Sequence, residues 1–156
     1  PPFDDYSMNS RTYRYMTEEP EYPFGFGLSY TRFTYSGLQV PATVKAGETV
    51  PVSVTLTNAG DVAAEEVVQV YLSDLAASTV VPQHKLVAFR RVALEPGESQ
   101  LVEFALPPDA LAFINDAGEP QTEPGTFRLT VGGCSPGARG VALGAAEAVL
   151  GEFEVA

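Results

Sequence analysis

The chain has 156 residues, and its 20 acidic against nine basic residues give a formal net charge of −11. Because the few basic residues are scattered in this acidic background, we expect neither nucleic acid nor an anionic membrane surface as a partner. The 45% hydrophobic content supplies a core for one domain, and no segment has the roughly 20 consecutive apolar residues of a membrane-spanning helix.

Residues 1–28 are predicted to form an extended arm that is rich in aromatic side chains. Residues 1–30 hold eight of the chain's 16 phenylalanine and tyrosine residues, and prolines at positions 1, 2, 20 and 23 interrupt any regular period. A disordered tail would be poor in aromatic residues, so this arm should bury them against protein. Composition leaves two destinations open: the rest of this chain, or a partner outside it.

Residues 29–156 are predicted to form an all-β, antiparallel, immunoglobulin-like sandwich. Apolar side chains alternate with polar or small ones along 50–57, 102–106 and 127–131, which is the period of a strand with one buried face. Segments rich in glycine, proline, asparagine and aspartate separate these strands, and about seven short strands of this kind are typical of a sandwich. The predicted strands are 31–40, 49–58, 66–74, 85–94, 99–106, 126–133 and 148–156.

Several local features are predicted within the sandwich. Gly37 interrupts the first strand at a point where the buried parity changes, which indicates a β-bulge. A single helical turn is expected over Pro107–Ala112, and type II turns are expected at Pro96-Gly97 and Pro124-Gly125. The predicted core residues are Val52, Val54, Leu56, Val70, Leu72, Val102, Phe104, Phe127, Leu129 and Val131.

The residues themselves indicate no catalytic apparatus. His84 is the only histidine, in a segment that precedes a strand, so we expect a solvated surface residue rather than a catalytic base. Cys134 has no second cysteine to pair with, which favours a buried or idle thiol. Residues 115–118 are expected to form a plain turn, because they lack the ligand spacing of an EF-hand calcium loop. We therefore expect no metal and no cofactor.

Residues 22–33 read YPFGFGLSYTRF. This segment resembles the signature that opens the carboxy-terminal fibronectin type III-like domain of family 3 glycoside hydrolases, the β-glucosidase and β-xylosidase group. The resemblance continues in residues 66–74, 85–98 and 124–132. It departs from the family pattern at 84–89, which read HKLVAF where the family usually has Lys-Glu-Leu-x-Gly-Phe. It also departs at Val81, where an arginine commonly precedes the proline.

The resemblance implies a function that lies mostly outside this sequence. Such enzymes are retaining exo-glycosidases, in which one carboxylate forms a covalent glycosyl intermediate while another acts as acid and base. In the family the nucleophilic aspartate lies in an amino-terminal (β/α)₈-type domain, and the acid/base glutamate generally lies in a following α/β sandwich. Neither domain is among these 156 residues, so no catalytic residue is carried over, and the chain alone is expected to be inactive.

The resemblance also implies partners and a location. The catalytic domains of the parent glycosidase are the expected partner, which this domain would brace, and it would lend loops to the rim of the active site or to a homodimer interface. A secreted or periplasmic location is favoured. The residues expected to dock on the catalytic domains are Arg11, Tyr13, Tyr15, Tyr22, Phe24 and Phe26.

Two other functions remain open for a sandwich of this class. One is a module that binds polysaccharide or another plant-wall polymer. The absence of tryptophan weakens this alternative, since flat aromatic side chains form the usual sugar platform. The other is a structural spacer, because the fold alone does not fix a function.

Overall fold

The computed structural model describes residues 8, 11–78, 81–115 and 117–156. Within these residues the chain forms ten strands, a 3₁₀ turn at Pro108–Ala110 and one short helix, α1, at Ala138–Ala142. The strands are β1 (Phe33–Gln39), β2 (Thr43–Val44), β3 (Val50–Asn58), β4 (Ala64–Asp74), β5 (Lys85–Leu94), β6 (Ser99–Leu106), β7 (Phe113–Ile114), β8 (Pro120–Gln121), β9 (Gly125–Gly132) and β10 (Val149–Val155).

Two sheets make up the sandwich. One has three strands in the order β1-β3-β6, and the other has five in the order β2-β10-β9-β4-β5, while β7 and β8 form a separate small ladder. The described pairs are antiparallel apart from β2 with β10, where Thr43 and Val44 run parallel to Glu154 and Val155. The predicted all-β sandwich is therefore confirmed, with one short parallel pair added at an edge.

The seven predicted strands correspond to β1, β3, β4, β5, β6, β9 and β10, with bounds that agree within two residues. The sequence did not indicate β2, β7, β8 or α1. Each of the three missed strands has two residues and α1 has five, so none is long enough to show a hydrophobic period.

The core lies between the two sheets, and all ten predicted core residues are buried in it. Along β3 every second side chain points inward, from Val50 to Leu56. On the opposite sheet the rings of Phe127 and Phe153 stack with centroids 5.6 Å apart. Burial of this apolar surface is the main stabilising contribution to the sandwich.

The predicted bulge in β1 is confirmed. Gly37 has a φ of +62°, and the β1–β3 register shifts by one residue between Ser36 and Gln39. The extra residue re-aims the strand, so Leu38 packs over Gly151 of β10, where an added Cβ would meet its methyl group at 3.0 Å.

The turn predictions have mixed outcomes. At Pro96-Gly97 the φ of Gly97 is +77°, and the Glu98 N–H donates to the Glu95 carbonyl at 3.0 Å, which confirms a type II turn. The predicted type II turn at Pro124-Gly125 is wrong, because Gly125 already begins β9 and does not have a positive φ. Gly125 instead allows close packing, since a Cβ there would lie 3.0 Å from Ala76.

Two further turns were predicted. The helical turn over Pro107–Ala112 is confirmed by the 3₁₀ turn and by the Leu111 N–H, which donates to the Pro108 carbonyl at 3.0 Å. In the turn over 115–118 the Gly118 N–H donates to the Asn115 carbonyl at 2.9 Å. Residue 116 of that turn, and the arm aromatics at positions 3 and 6, lie outside the described residues.

Candidate docking surface

The outer face of β4 is covered by the arm. Val68, Val70 and Leu72 point into the core, yet Gln69 and Tyr71, which point the other way, are buried as well. A strand in an antiparallel sandwich usually has one face that is exposed to solvent. The burial of both faces of β4 shows that the arm is a third layer over this part of the sheet.

Gln69 fixes the arm to the sandwich through its side-chain amide. Its Nε2 donates to the carbonyl of Gly25 at 3.1 Å and to the carbonyl of Gly133 at 2.7 Å. Its Oε1 accepts a hydrogen bond from the Tyr71 hydroxyl at 2.5 Å. A buried amide with partners on both ends is a directed anchor, because each of these groups would be costly to leave unpaired.

Glycine is required at position 25 for two physical reasons. Its φ is +75°, and an added Cβ would overlap the side-chain amide of Gln69. The next backbone anchor is the Phe24 carbonyl, which accepts from the Ser135 N–H at 2.8 Å. Gly27 is unlike Gly25, since nothing lies within 4 Å of a Cβ built there.

The α1 region holds the arm from a second side. The Arg139 Nε donates to the Glu21 carbonyl at 3.1 Å. Gly140 lies against Cys134 and Pro23, and there is no room for a Cβ between them and the helix. Cys134 is buried and has no disulfide, as the sequence predicted, and burial followed by the nearby charge of Glu66 raises the pKa of its thiol.

Tyr13 is one of the predicted docking residues, and the structure packs it against other residues of this same chain. Its ring stacks on Phe24 with centroids 4.0 Å apart and 7° between the planes. It also meets Tyr71 edge-on at 6.4 Å, and its hydroxyl accepts from the Leu86 N–H at 3.3 Å. Part of the arm therefore packs on its own sandwich, the first of the two destinations left open by composition.

The prediction that His84 is a solvated surface residue is wrong. The imidazole is half-buried, 5.8 Å from the ring of Tyr13 and 6.0 Å from that of Tyr71. Burial lowers the pKa of His84 and raises the pKa of Tyr71. The histidine therefore forms one wall of the aromatic cluster, a role that a single histidine in a loop could not reveal.

The other predicted docking residues lie nearer to solvent. Tyr22 is 68% exposed, and its ring is tilted over Phe26 at 6.1 Å. Arg11 is exposed, and Tyr15 is half-buried at a groove beside Lys85. Burial, followed by the charge of Arg14, lowers the pKa of Lys85.

The structure adds two residues that the sequence did not single out. Leu28 is 90% exposed and Tyr30 is 97% exposed, although the backbone before them is anchored. We call the exposed apolar side chains of this segment the arm face. It consists of Tyr22, Phe24, Leu28 and Tyr30.

Beside the arm face lies a cleft of about 320 Å³. Its walls include residues Gly25–Ser29, the strand residues Glu65–Val67, Gly133 and the loop 143–146. Glu66 stands next to Glu65 in sequence, but it is half-buried where Glu65 is exposed. Burial raises the pKa of Glu66, and the Tyr35 hydroxyl and the Val67 backbone offset this in part.

The part of the chain that the structure describes shows no group of three or more histidine, cysteine, aspartate or glutamate side chains placed to hold a metal ion. Nor does any helix among those residues have the length and apolar character needed to cross a membrane.

Comparison with known proteins gives consistent matches. Residues 66–135 match the fibronectin type III-like domain family. A β-xylosidase from Formosa agariphila is 43% identical over 124 residues, which cover 79% of this chain and 17% of that protein. A periplasmic β-glucosidase from Salmonella typhimurium is 38% identical over 134 residues, covering 84% of this chain and 18% of that protein.

Solved structures agree. The β-glucosidase from Listeria innocua, in complex with glucose, superposes with a TM-score of 0.78 at 39% identity, over 88% of this chain and 18% of that one. Fold and matches together define a fibronectin type III-like β-sandwich. The chain belongs to the fibronectin type III-like domains found in the family 3 glycoside hydrolases named β-glucosidase and β-xylosidase. It spans less than a fifth of the length of the curated relatives cited here.

Proposed function

We propose that this chain is the carboxy-terminal accessory domain of a family 3 glycoside hydrolase, a retaining exo-β-glucosidase-like enzyme, and that it braces the catalytic domains of that parent. The arm face is the surface that contacts them. The relatives are about five times longer than the matched region, so most of such a protein lies outside this chain.

One observation carries this proposal: the arm exposes apolar side chains while its backbone is fixed. Gln69 and Ser135 anchor Gly25 and Phe24, yet Tyr22, Leu28 and Tyr30 are largely in solvent. Burial of apolar surface contributes about 25 cal/mol per Å². A segment that is already ordered loses less conformational entropy on binding, so more of this contribution remains as affinity.

Association in trans tests the proposal. The remainder of the parent enzyme and this chain are produced separately, and their affinity is measured by calorimetry. We expect Tyr22→Ser with Leu28→Ser to weaken binding at least tenfold, because both are exposed members of the arm face. Leu101→Ser is the matched control, since Leu101 is 56% exposed on β6 of the other sheet. Equal losses in both variants would contradict the assignment of this surface.

A second copy of this chain is the competing occupant of the arm face. Sedimentation of the isolated chain distinguishes the two, because we expect a monomer at micromolar concentration. Self-association that Tyr22→Ser abolishes would assign the face to a homodimer instead.

We also propose that the chain alone hydrolyses no aryl glucoside or aryl xyloside. A retaining glycosidase needs two carboxyl groups about 5–5.5 Å apart across the glycosidic bond, and the family places both in other domains. The assay is release of the aryl group over a range of pH. Activity that survives purification and is lost when one acidic residue of this chain is replaced would overturn the proposal.

A further inference from the structure

The cleft beside the arm face contains a carboxylate without a matching cation. Glu66 lines it together with Glu65, and the other residues that line it are uncharged and include apolar ones such as Phe26 and Leu143. Among the described residues the ion pairs are Glu65 with Arg91 at 3.3 Å and Glu152 with Arg128 at 2.8 Å. Glu66 takes part in neither. A carboxylate removed from water without a counter-charge destabilises the folded state.

A second polar group points to the same place. Tyr35 is only 7% exposed. Its hydroxyl lies close enough to Glu66 to offset part of the rise that burial causes in the pKa of that carboxyl, but it completes no hydrogen bond within the described part of the chain. An atom at the Cβ position of Gly133 would lie 2.7 Å from the Glu66 Oε1 and 3.7 Å from the Tyr35 hydroxyl. The glycine at position 133 thus allows the carboxylate and the hydroxyl to converge there.

We propose that this cleft receives a cationic side chain, an arginine or lysine, from the remainder of the parent enzyme, and that Glu66 binds its charged end. The inference rests on the proposed function and names the partner's chemistry. A guanidinium or ammonium group donates to a carboxylate in a strong, charge-assisted hydrogen bond. The alkyl stem of such a side chain packs on apolar walls like those formed by Phe26 and Leu143.

The position of the cleft supports this occupant over a free ligand. Residues Gly25–Ser29 line it, and Leu28 among them belongs to the arm face, so the cleft is continuous with that surface. A surface resting on the arm face would therefore also cover the mouth of the cleft. The chain's net charge of −11 favours a basic partner surface as well.

The test uses the same trans association. Glu66→Gln keeps the shape and the hydrogen-bonding ability of the side chain but removes its charge, and we expect it to weaken binding at least tenfold. Glu65→Gln is the matched control, because Glu65 lines the same cleft but is exposed and paired with Arg91. It should change the affinity less than twofold.

Thermal unfolding of the isolated chain separates this role from a structural one. Without the partner, Glu66→Gln should raise the midpoint of thermal unfolding or leave it unchanged, because it removes a half-buried charge that lacks a cation. Weaker binding by a variant that is no less stable supports the proposal. Equal affinity of Glu66→Gln and wild type would overturn it, as would a lowered midpoint that accounts for the lost binding. Failure of the wild-type chain to bind would instead overturn the proposed function, and this inference with it.

Discussion

The sandwich core and the arm are held in place by different kinds of contact. Residues such as Phe127 and Val54 are buried on all sides in a continuous apolar core. The arm is attached at a few directed points, chiefly Gln69, Tyr71 and the backbone of residues 23–25. The apolar side chains of the core are buried when the domain folds, whereas those of the arm face remain exposed to solvent. A fixed backbone with exposed apolar side chains is the property of a surface made for contact.

The largest change in stability is expected when a core side chain is truncated. Phe127→Ala should lower the free energy of unfolding by about 3–5 kcal/mol, since it removes a buried ring and leaves a cavity. The lost ring stacks on Phe153 at 5.6 Å. Denaturant unfolding of the isolated chain measures the change. An unchanged midpoint would mean that this face of β9 is not the packed one.

The next effect addresses the anchor of the arm. Gly25→Ala should cost about 2 kcal/mol or more, because the left-handed conformation alone costs roughly 1–2 kcal/mol for a residue with a Cβ. The new methyl group would also displace the Gln69 amide. Gly27→Ala is the control, since a Cβ there meets nothing and the φ is not positive.

Hydrogen exchange locates the consequence of the Gly25 substitution. The Phe26 N–H, which donates to the Pro23 carbonyl at 3.0 Å, and the Ser135 N–H should both lose protection in Gly25→Ala. Amides in the middle of β3 should keep theirs. Equal loss of protection in β3 and in the arm would show that the two regions unfold as one unit. That result would contradict the separate attachment of the arm.

A smaller effect is expected from pH. The pKa of His84 is lowered by burial, so between its folded value and the ordinary 6.5 the unfolded chain binds more protons. Stability contributed by this group is therefore lost as pH falls through that window. The rings of Tyr13 and Tyr71 face the imidazole, and Lys85 lies next to it in sequence. A His84→Gln variant should lack this part of the pH dependence, which thermal midpoints measured between pH 5 and 8 would show.

The smallest change in stability is expected when an exposed side chain of the arm face is truncated. Tyr22→Ala should change the stability of the isolated chain by no more than about 0.5 kcal/mol, as is usual for an exposed position. The ring of Tyr22 is 68% exposed and touches chiefly Phe26. Chemical denaturation provides the measurement. A loss comparable to that of Gly25→Ala would show that Tyr22 belongs to the fold rather than to an interface.

Most of the fold could be predicted from the sequence because its long strands carry a clear period. In β3, alternating valines and polar residues allow only one face to be buried, and the structure buries that face. The error at Pro124-Gly125 has a physical cause: a Pro-Gly pair fits a type II turn, but a glycine also permits close packing. Only the neighbouring Ala76, 49 positions away in sequence, distinguishes the two.

The candidate site was less accessible to sequence reasoning. The aromatic content of the arm indicated that it contacts protein, but not that Tyr13 would pack within the chain while Leu28 and Tyr30 stayed outside. Glu66 sits beside Glu65 and looks like surface charge. Its burial depends on Tyr35, Gly133 and the arm, which come from three distant parts of the chain. Gln69 offered one signal, because it is a polar residue that lies in β4 between Val68 and Val70.

The position of β10 has a consequence for how the domain is made. It is the last strand of the sandwich in chain order, yet it lies inside the five-stranded sheet, between β2 and β9. A ribosome delivers the chain from its amino end, so β9 emerges with an unpaired edge, and β2 lacks its neighbour altogether. Open strand edges are templates for pairing with other chains. The nascent domain is therefore exposed to misassembly until Val149–Val155 is released, and a chain cut before that segment should aggregate rather than fold into a smaller sandwich.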